Sequence, residues 1–309
     1  MIIDEVKVYL KAGDGGRGEV SMLRFSNRRV IGGGGDGGKG ADIILRTSPH
    51  LYDLNKFLLN KKFIAEDGER GRSNNKKGKD AKPLIIDVPV GTIVKDLEGN
   101  IIVDLDKESQ QFIICKGGEG GKGNFKKEYS ILPTQGEEKE VIFDYRIPND
   151  IAIVGFANVG KTSLFNALTG KSFKVADWPF TTTHCMWAPF LFNFFKITVL
   201  DTPAIKINAD NKFLKHLFRT KIIIFISDNF SNCSEDFSLL KNEISKFDKQ
   251  ILNDKKIFYL LNKIDKIDKI QKMQKILTVS AQQNIRIEKL KEKIFKELKN
   301  EKSSCKSWK

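Results

Sequence analysis

The chain has 309 residues with 53 Lys and Arg against 39 Asp and Glu, a formal net charge of +14. That length exceeds what one small core organises, so two domains are expected, each able to bury a core without disulfides. Cys115, Cys185, Cys233 and Cys305 lie far apart, and His50, His184 and His216 stand at no metal-ligand spacing, which excludes a disulfide framework and a zinc or other metal cluster. The start, MIIDEVKVYLKAGDGG, alternates and carries charge early, unlike a signal peptide, and no apolar run reaches the ~18 residues of a membrane span. A cytoplasmic protein is expected.

Composition then splits the chain. Of the 25 glycines, 22 fall at or before Gly136, whereas 16 of the 22 phenylalanines follow Asp150, so a boundary is expected near Asp150. Residues 1–150 carry 25 basic against 24 acidic side chains and residues 151–309 carry 28 against 15, so the surplus sits in the second half. Two readings stand side by side: phosphate neutralisation on a nucleic acid, or the residue usage of an AT-biased coding sequence.

Three phrases of the first half nearly repeat: AGDGGRG from Ala12 to Gly18, IGGGGDGGKG from Ile31 to Gly40, and KGGEGGKG from Lys116 to Gly123. None ends in Lys-Ser or Lys-Thr opening a helix, so as phosphate loops they fail. As linkers they fail too, because they lie among strand-like segments such as DEVKVYL, ADIILRT and QFIICK and repeat their charged positions. Closely spaced glycines let polyproline-like helices pack side by side.

In the second half, DIAIVGFANVGKTSLFNALTG reads as strand, loop and helix: an apolar run Ile151–Val154, a turn through Gly155 and Gly160, then Leu164, Phe165 and Leu168. The loop GFANVGKT (Gly155, Phe156, Ala157, Asn158, Val159, Gly160, Lys161, Thr162) has the full phosphate-loop spacing. Its backbone N–H groups would wrap phosphates, Lys161 would reach the β and γ oxygens, and the Thr162 hydroxyl would bind Mg²⁺. A second apolar run, Ile197–Leu200, ends at Asp201 in DTPA, placing a carboxylate at the carboxyl edge of a parallel strand where it can hold Mg²⁺ through water. A third, Ile257–Leu261, ends in Asn262, Lys263 and Asp265, the NKxD pattern. A carboxylate there accepts from guanine and meets an unpaired acceptor on adenine, so Asp265 selects GTP over ATP.

KILTVSAQ adds a weak strand signal with Ser280 and Ala281 poised to touch the base, and ADWPFTTTH reads as a loop ordered by the γ-phosphate and Mg²⁺, with a threonine completing the metal shell. WAPFLFNFF and KIIIFIS read as strands, and NKFLKHLFRT and DFSLLKNEISKFD as amphipathic helices. The last helix puts Ile287, Leu290, Ile294 and Leu298 on one stripe with Glu292 and Lys296 paired four apart; its lysine-rich outer face is either a solvated face or an RNA site.

With these motifs beside the glycine tracts, the chain resembles the Obg (CgtA) family of P-loop GTPases over nearly its whole length. DEVKVYLKAGDGGRG, GGDGGKGADIIL, DVPVGTIVKD and KGGEGGKGN look like the blocks of the Obg domain, and GFANVGKT, ADWPFTTT, DTPA, FLKHLFRT, NKID and SA like those of the GTPase domain. The resemblance implies a multi-domain protein. A glycine-rich Obg fold over 1–150, polyproline-II-like helices on a small β barrel, contacts the ribosome and its RNA. An α/β P-loop GTPase domain follows over 151–300, and 301–309 form a basic tail.

The implied function is a slow, Mg²⁺-dependent GTPase that binds the large ribosomal subunit and its rRNA as a nucleotide-dependent assembly checkpoint, monomeric in solution. The ligands are GTP or GDP with Mg²⁺, and K⁺ through Asn158. Carried over residue by residue, Gly155–Thr162 bind phosphates, Phe180, Thr181 and Thr182 contact the nucleotide, Thr162, Thr182 and Asp201 hold the metal, and Thr202, Pro203 and Ala204 follow the γ-phosphate. Asn262, Lys263, Asp265, Ser280 and Ala281 read the base, and Lys161, Thr182 and Asn158 are the catalytic set. Asp14, Arg17, Asp36 and Lys39 would lie on projecting loops of the glycine bundle.

Ile205 stands where many GTPases carry a water-orienting glutamine and cannot orient water, a feature similar to the family, which has a hydrophobic residue there. Three departures stand against the family pattern. Ala204 replaces the glycine after DxP. The switch is a short IKINADN, and the extra C-terminal domain of many members is not expected. Ala204 and the short switch support an alternative, a hydrolysis-impaired guanine-nucleotide sensor that scaffolds on the ribosome; an ATPase of similar architecture is disfavoured by Asn262 and Asp265.

Overall fold

The computed structural model describes residues 3–24, 30–170, 185–253, 255–266 and 276–304, with side chains described up to residue 300. The chain divides into two compact units that meet in sequence between Tyr145 and Arg146.

The first unit holds β1 (Glu5–Lys11), β2 (Met22–Arg24), β3 (Val30–Gly32), β4 (Ile43–Ser48), the short α1 (Lys56–Leu59), β5 (Lys62–Ile64), β6 (Leu84–Pro89), β7 (Thr92–Lys95), β8 (Ile101–Leu105), β9 (Gln111–Cys115) and β10 (Glu138–Tyr145). They form a five-stranded sheet β5-β1-β10-β7-β8, a three-stranded sheet β6-β4-β9 and the pair β2-β3. Alternation along β1 buries Val6, Val8 and Leu10, in register with Phe143 and Val141 of β10. Phe57 of α1 packs edge-on against Phe143, their centroids 5.1 Å apart.

Beyond Ile31 and Gly32, which pair with β2, the glycine tracts form no ladder. Their hydrogen bonds instead recur every third residue. Gly13, Gly16 and Glu19 donate to Ala41, Gly38 and Gly35; Gly118, Gly121 and Asn124 donate to Gly13, Gly16 and Glu19; Gly37 and Gly40 donate to Gly121 and Gly118. The three phrases therefore close a ring of mutual hydrogen bonds with the period of three that polyproline-II helices require. The same period extends outward: Gly35, Gly38 and Ala41 donate to Arg72, Glu69 and Glu66, and Gly78, Ala81 and Leu84 donate to Asp36, Lys39 and Asp42. Segments 66–72 and 76–84 thus join the bundle. Glycine is obligatory here because of close approach, not turn geometry: a Cβ on Gly37 would sit 1.9 Å from the Gly16 carbonyl oxygen.

The expectation that Asp14, Asp36 and Lys39 stand on projecting loops needs correction. Asp14 accepts from the Gly136 amide at 2.8 Å, Asp36 accepts from the Gly123 amide and the Lys122 ammonium, and the Lys39 amide donates to Asp80. These carboxylates cross-brace neighbouring segments, satisfying amides that the three-residue period leaves over.

The second unit holds β11 (Ile151–Gly155), α2 (Lys161–Thr169), β12 (Met186–Phe192), β13 (Phe195–Asp201), a 3₁₀ helix (Lys212–Arg219), β14 (Ile222–Ser227), α3 (Cys233–Phe247), a second 3₁₀ turn (Lys249–Leu252), β15 (Lys256–Leu261), a third (Ile264–Lys266), β16 (Ile276–Thr278) and α4 (Ile287–Ser304). The sheet order is β12-β13-β11-β14-β15-β16, parallel except for β12. β11 and β14 are buried at every position, as strands covered on both faces must be. Since β13 flanks β11 on one side and β14 on the other, the carboxyl end of β11 is a topological switch point, where ligands of open α/β sheets bind.

Ile287, Leu290, Ile294 and Leu298 of α4 join the same core as Phe165 and Leu168 of α2. Glu292 and Lys296 do not pair with each other; Lys291 pairs with Glu288 and Lys256 with Glu297 instead. WAPFLFNFF is not one strand, because Asn193 and Phe194 adopt positive φ and turn the chain between β12 and β13. NKFLKHLFRT coils as a 3₁₀ helix, not α. Its His216 is buried, and its Nδ1 accepts from the Ile147 amide at 3.3 Å, an ordinary core histidine.

Candidate nucleotide site

β11 delivers Gly155 to the switch point and α2 opens at Lys161, with Asn158 (φ 61°) and Gly160 (φ 92°) turning the loop between them. A Cβ on Gly160 would meet the Asn262 Nδ2 at 2.3 Å, so the glycine lets the loop press against the NKID segment. Asn262 makes that contact useful: its Nδ2 donates to the Val159 carbonyl at 2.9 Å while its Oδ1 accepts from the Ala281 amide at 3.0 Å. One amide side chain thereby ties the phosphate loop, the end of β15 and the Ser280-Ala281 turn together.

The Lys161 ammonium, almost fully buried, donates to the Phe156 carbonyl at 2.7 Å, and burial lowers its pKa to about 8, against the pull of Asp201. Asp201, at the carboxyl end of β13, is wholly buried; burial pushes its carboxyl up to about 6, opposed by the hydrogen bond from Thr162 and by the Lys161 charge. The Thr162 hydroxyl donates to Asp201 Oδ2 at 2.7 Å, whereas Asp201 Oδ1 is buried with no hydrogen-bond partner among the described residues. A buried carboxylate oxygen so placed, beside a hydroxyl, is a donor set that fits a hard divalent cation and its water. Two further bonds draw the strand ends together: the Thr202 hydroxyl donates to the Ile153 carbonyl at 2.8 Å and the Ile205 amide to the Gly155 carbonyl at 3.1 Å.

At the base end, the Ser280 hydroxyl donates to Asp265 Oδ1 at 2.5 Å, fixing the plane of the carboxylate. Lys263, at φ 63°, reaches the Asn158 carbonyl at 2.6 Å and Asp228 Oδ2 at 2.5 Å. Asp228 escaped the sequence reading. It follows KIIIFIS as Asp201 follows its own apolar run, so the strand-edge argument that picked Asp201 reaches it too.

The family model described as GTP1/OBG matches residues 3–142 and the one described as 50S ribosome-binding GTPase matches residues 150–263. The chain is 38% identical over 287 residues to GTPase Obg of Sulfurihydrogenibium sp. (strain YO3AOP1), covering 86% of this chain and 82% of that one. The chain belongs to the Obg family of GTPases. It is 36% identical to GTPase Obg of Persephonella marina, over 85% of this chain and 83% of that one, and 36% identical to the Aquifex aeolicus protein of the same name, over 85% and 82%. Aquifex aeolicus Era bound to GDP·AlF4⁻ superposes with a TM-score of 0.41 at 24% identity, over 48% of this chain and 56% of that one.

As an Obg-family member the chain is a GTP-hydrolysing enzyme that binds guanine nucleotide, built as an Obg domain followed by a P-loop GTPase domain. Of the residues expected at the site, Gly155–Thr162, Asp201–Ala204, Asn262, Lys263, Asp265, Ser280 and Ala281 are all placed within the second unit, and the hydrogen bonds above link them into one constellation. Phe180, Thr181 and Thr182 lie outside the described residues. Ala204, where the family pattern has a glycine, is buried and is not among the residues of positive φ, so its methyl group costs no backbone strain in this conformation. Among the described residues no helix is long and apolar enough to cross a membrane, and no group of His, Cys, Asp and Glu could hold a metal by itself.

Proposed function

We propose that this Obg-family GTPase is a slow, Mg²⁺-dependent assembly factor of the large ribosomal subunit that works in the cytoplasm as a monomer. The supporting observation is the union in one chain of a guanine-reading phosphate site and a glycine lattice too tightly packed to be a linker. The match of residues 150–263 to a family described as 50S ribosome-binding points the same way.

In this reading, residues 1–150 meet ribosomal RNA and residues 151–300 carry the nucleotide. Backbone amides of Gly155–Thr162 bind the phosphates, and Lys161 exchanges the Phe156 carbonyl for a β,γ-bridging phosphate contact. Thr162, Thr182 and, through water, Asp201 would hold Mg²⁺, which neutralises charge on the β- and γ-phosphates when bound. Asp265 accepts from guanine with Ser280 bracing it, and Asn262 holds the base loop to the phosphate loop. Ile205 is buried with its amide spent on Gly155, so no side chain there orients the attacking water. Without a side chain to orient that water, turnover stays slow.

Asn158, exposed at the crown of the loop, is the proposed K⁺ contact; equal hydrolysis rates in Na⁺ and K⁺ would remove it. The functional reading is tested by sedimentation with purified large-subunit particles. GTP-dependent, salt-sensitive co-sedimentation with stimulated single-turnover hydrolysis is expected. Absence of both would overturn the ribosomal role.

A further inference from the structure

The segment that follows Asp201 should be the mobile part of a GTPase, yet here it is tethered at its start, its middle and its end. No glycine occurs anywhere after Gly170, so the positive-φ position within Ile205–Asn211 is filled by Asn208, at φ 55°. The Asn208 amide donates to Glu243 Oε2 of α3 at 3.1 Å, and its side-chain oxygen accepts from the Lys246 ammonium at 2.8 Å. Lys246 also pairs with Glu243 Oε1 at 2.6 Å, which closes a three-membered clasp. Glu243 is almost fully buried, and the Lys246 hydrogen bond holds its carboxyl below the usual range. On either side of the clasp, Asn211 braces the loop from within, accepting from the Lys206 amide at 3.1 Å and donating to the Lys206 and Ala209 carbonyls. At its start the Ile205 amide is bound to Gly155, the first residue of the phosphate loop.

We propose that Glu243 and Lys246 are positioning residues for GTP turnover: they hold Ile205–Asn211 in one conformation against α3, so that the segment beside the γ-phosphate is ordered before nucleotide arrives. A glycine-rich switch orders only when the γ-phosphate is present, and that ordering is drawn from binding energy. Here the clasp supplies it in advance. The consequence is a segment that barely distinguishes GTP from GDP, with the lost glycine hinge compensated by a fixed geometry for the reaction. The inference rests on Gly155–Thr162 being the phosphate cradle and needs no ribosome.

The test uses the full chain and reads two quantities. Amide exchange at Lys206 and Asn208 should be equally slow with GDP and with a non-hydrolysable GTP analogue. In Glu243→Ala, exchange there should quicken and kcat fall about 10-fold, with KM and GDP affinity changed less than about 2-fold, because an ordering contact and not a binding contact is lost. Glu243→Gln, whose carbonyl can still accept from Asn208, should recover most of the rate. Lys246→Met, an exposed substitution that keeps the helix, should fall between them.

Nucleotide-dependent exchange in the wild-type loop, or an unchanged kcat in both Glu243→Ala and Lys246→Met, would overturn the proposal. So would a fall of kcat and GDP affinity together with melting temperature, which marks a merely structural role. Failure of wild-type GTP binding would instead indict the reading of the cradle.

Discussion

Between Ala12 and Ala41 the described residues bury no apolar side chain larger than alanine, whereas β11 and β14 are buried at every position. The first region is held by peptide groups bonded to peptide groups, the second by interlocked isoleucine, leucine and phenylalanine with polar side chains confined to the strand ends. Peptide-to-peptide packing leaves no rotamers to adjust, so it is stiff and intolerant. Side-chain packing leaves room to relax, and its polar rim can exchange one hydrogen-bond partner for another. Chemistry therefore sits at the rim of the second unit, while the glycine lattice offers a rigid shape.

The most damaging change should be Gly37→Val, since backbone would strike backbone; destabilisation on the order of 4 kcal/mol or more is expected. Amide exchange should lose protection at Gly16, Gly37 and Gly121 while guanine nucleotide still binds. Simultaneous loss of nucleotide binding would erase the contrast between the units. The reciprocal change is Ile294→Ala in the second core, costing about 3 kcal/mol by cavity formation, read as a lower unfolding midpoint with the lattice amides still protected.

Asp265→Asn should cut the preference for GTP over ATP about 10- to 100-fold by competition binding, through loss of charged acceptance from guanine. Nucleotide affinity should also fade on both sides of neutrality. Asp201 must be ionised to hold a cation and is protonated below about pH 6 in the free protein, so Mg²⁺-dependent binding weakens as pH falls through that value. Lys161 loses its charge above about pH 8, so binding weakens there too.

The stability linkage of Asp201 runs the other way. Its folded pKa lies above the ordinary carboxylate value of 3.8, so its contribution in the nucleotide-free protein is largest below pH 3.8 and is lost as pH rises through about 6. The smallest effect belongs to Gly99→Ala. Its added methyl meets nothing within 4 Å but must adopt φ 91°, which costs roughly 1 kcal/mol in thermal melting. Gly37 and Gly99 together separate the two reasons a glycine can be required.

Much of the second unit is readable from sequence because its signals are local: a buried run, a turn and a carboxylate recur at Asp201, Asp228 and Asp265. Asp228 belongs to no named motif, and its role emerges only from Lys263, which reaches both it and Asn158. The 3₁₀ coil of Lys212–Arg219 carried the same apolar spacing as an α-helix, and spacing alone does not separate the two. In the first unit the three phrases announce close packing, but segments 66–72 and 76–84 carry only a faint signal, Gly68 and Gly71 standing three apart. The aspartates misled for a related reason. Charge in a glycine run suggests a solvated loop, while here the carboxylates replace backbone acceptors.

The three-residue repeat of the lattice hydrogen bonds sets a reading frame on the chain. Losing or gaining one residue between Gly13 and Glu19 would turn every later amide toward the wrong neighbour, whereas an insertion of three restores the phase beyond it. Length changes in these tracts should thus be tolerated in triplets, as in a coding sequence, and single steps should act as frameshifts of structure.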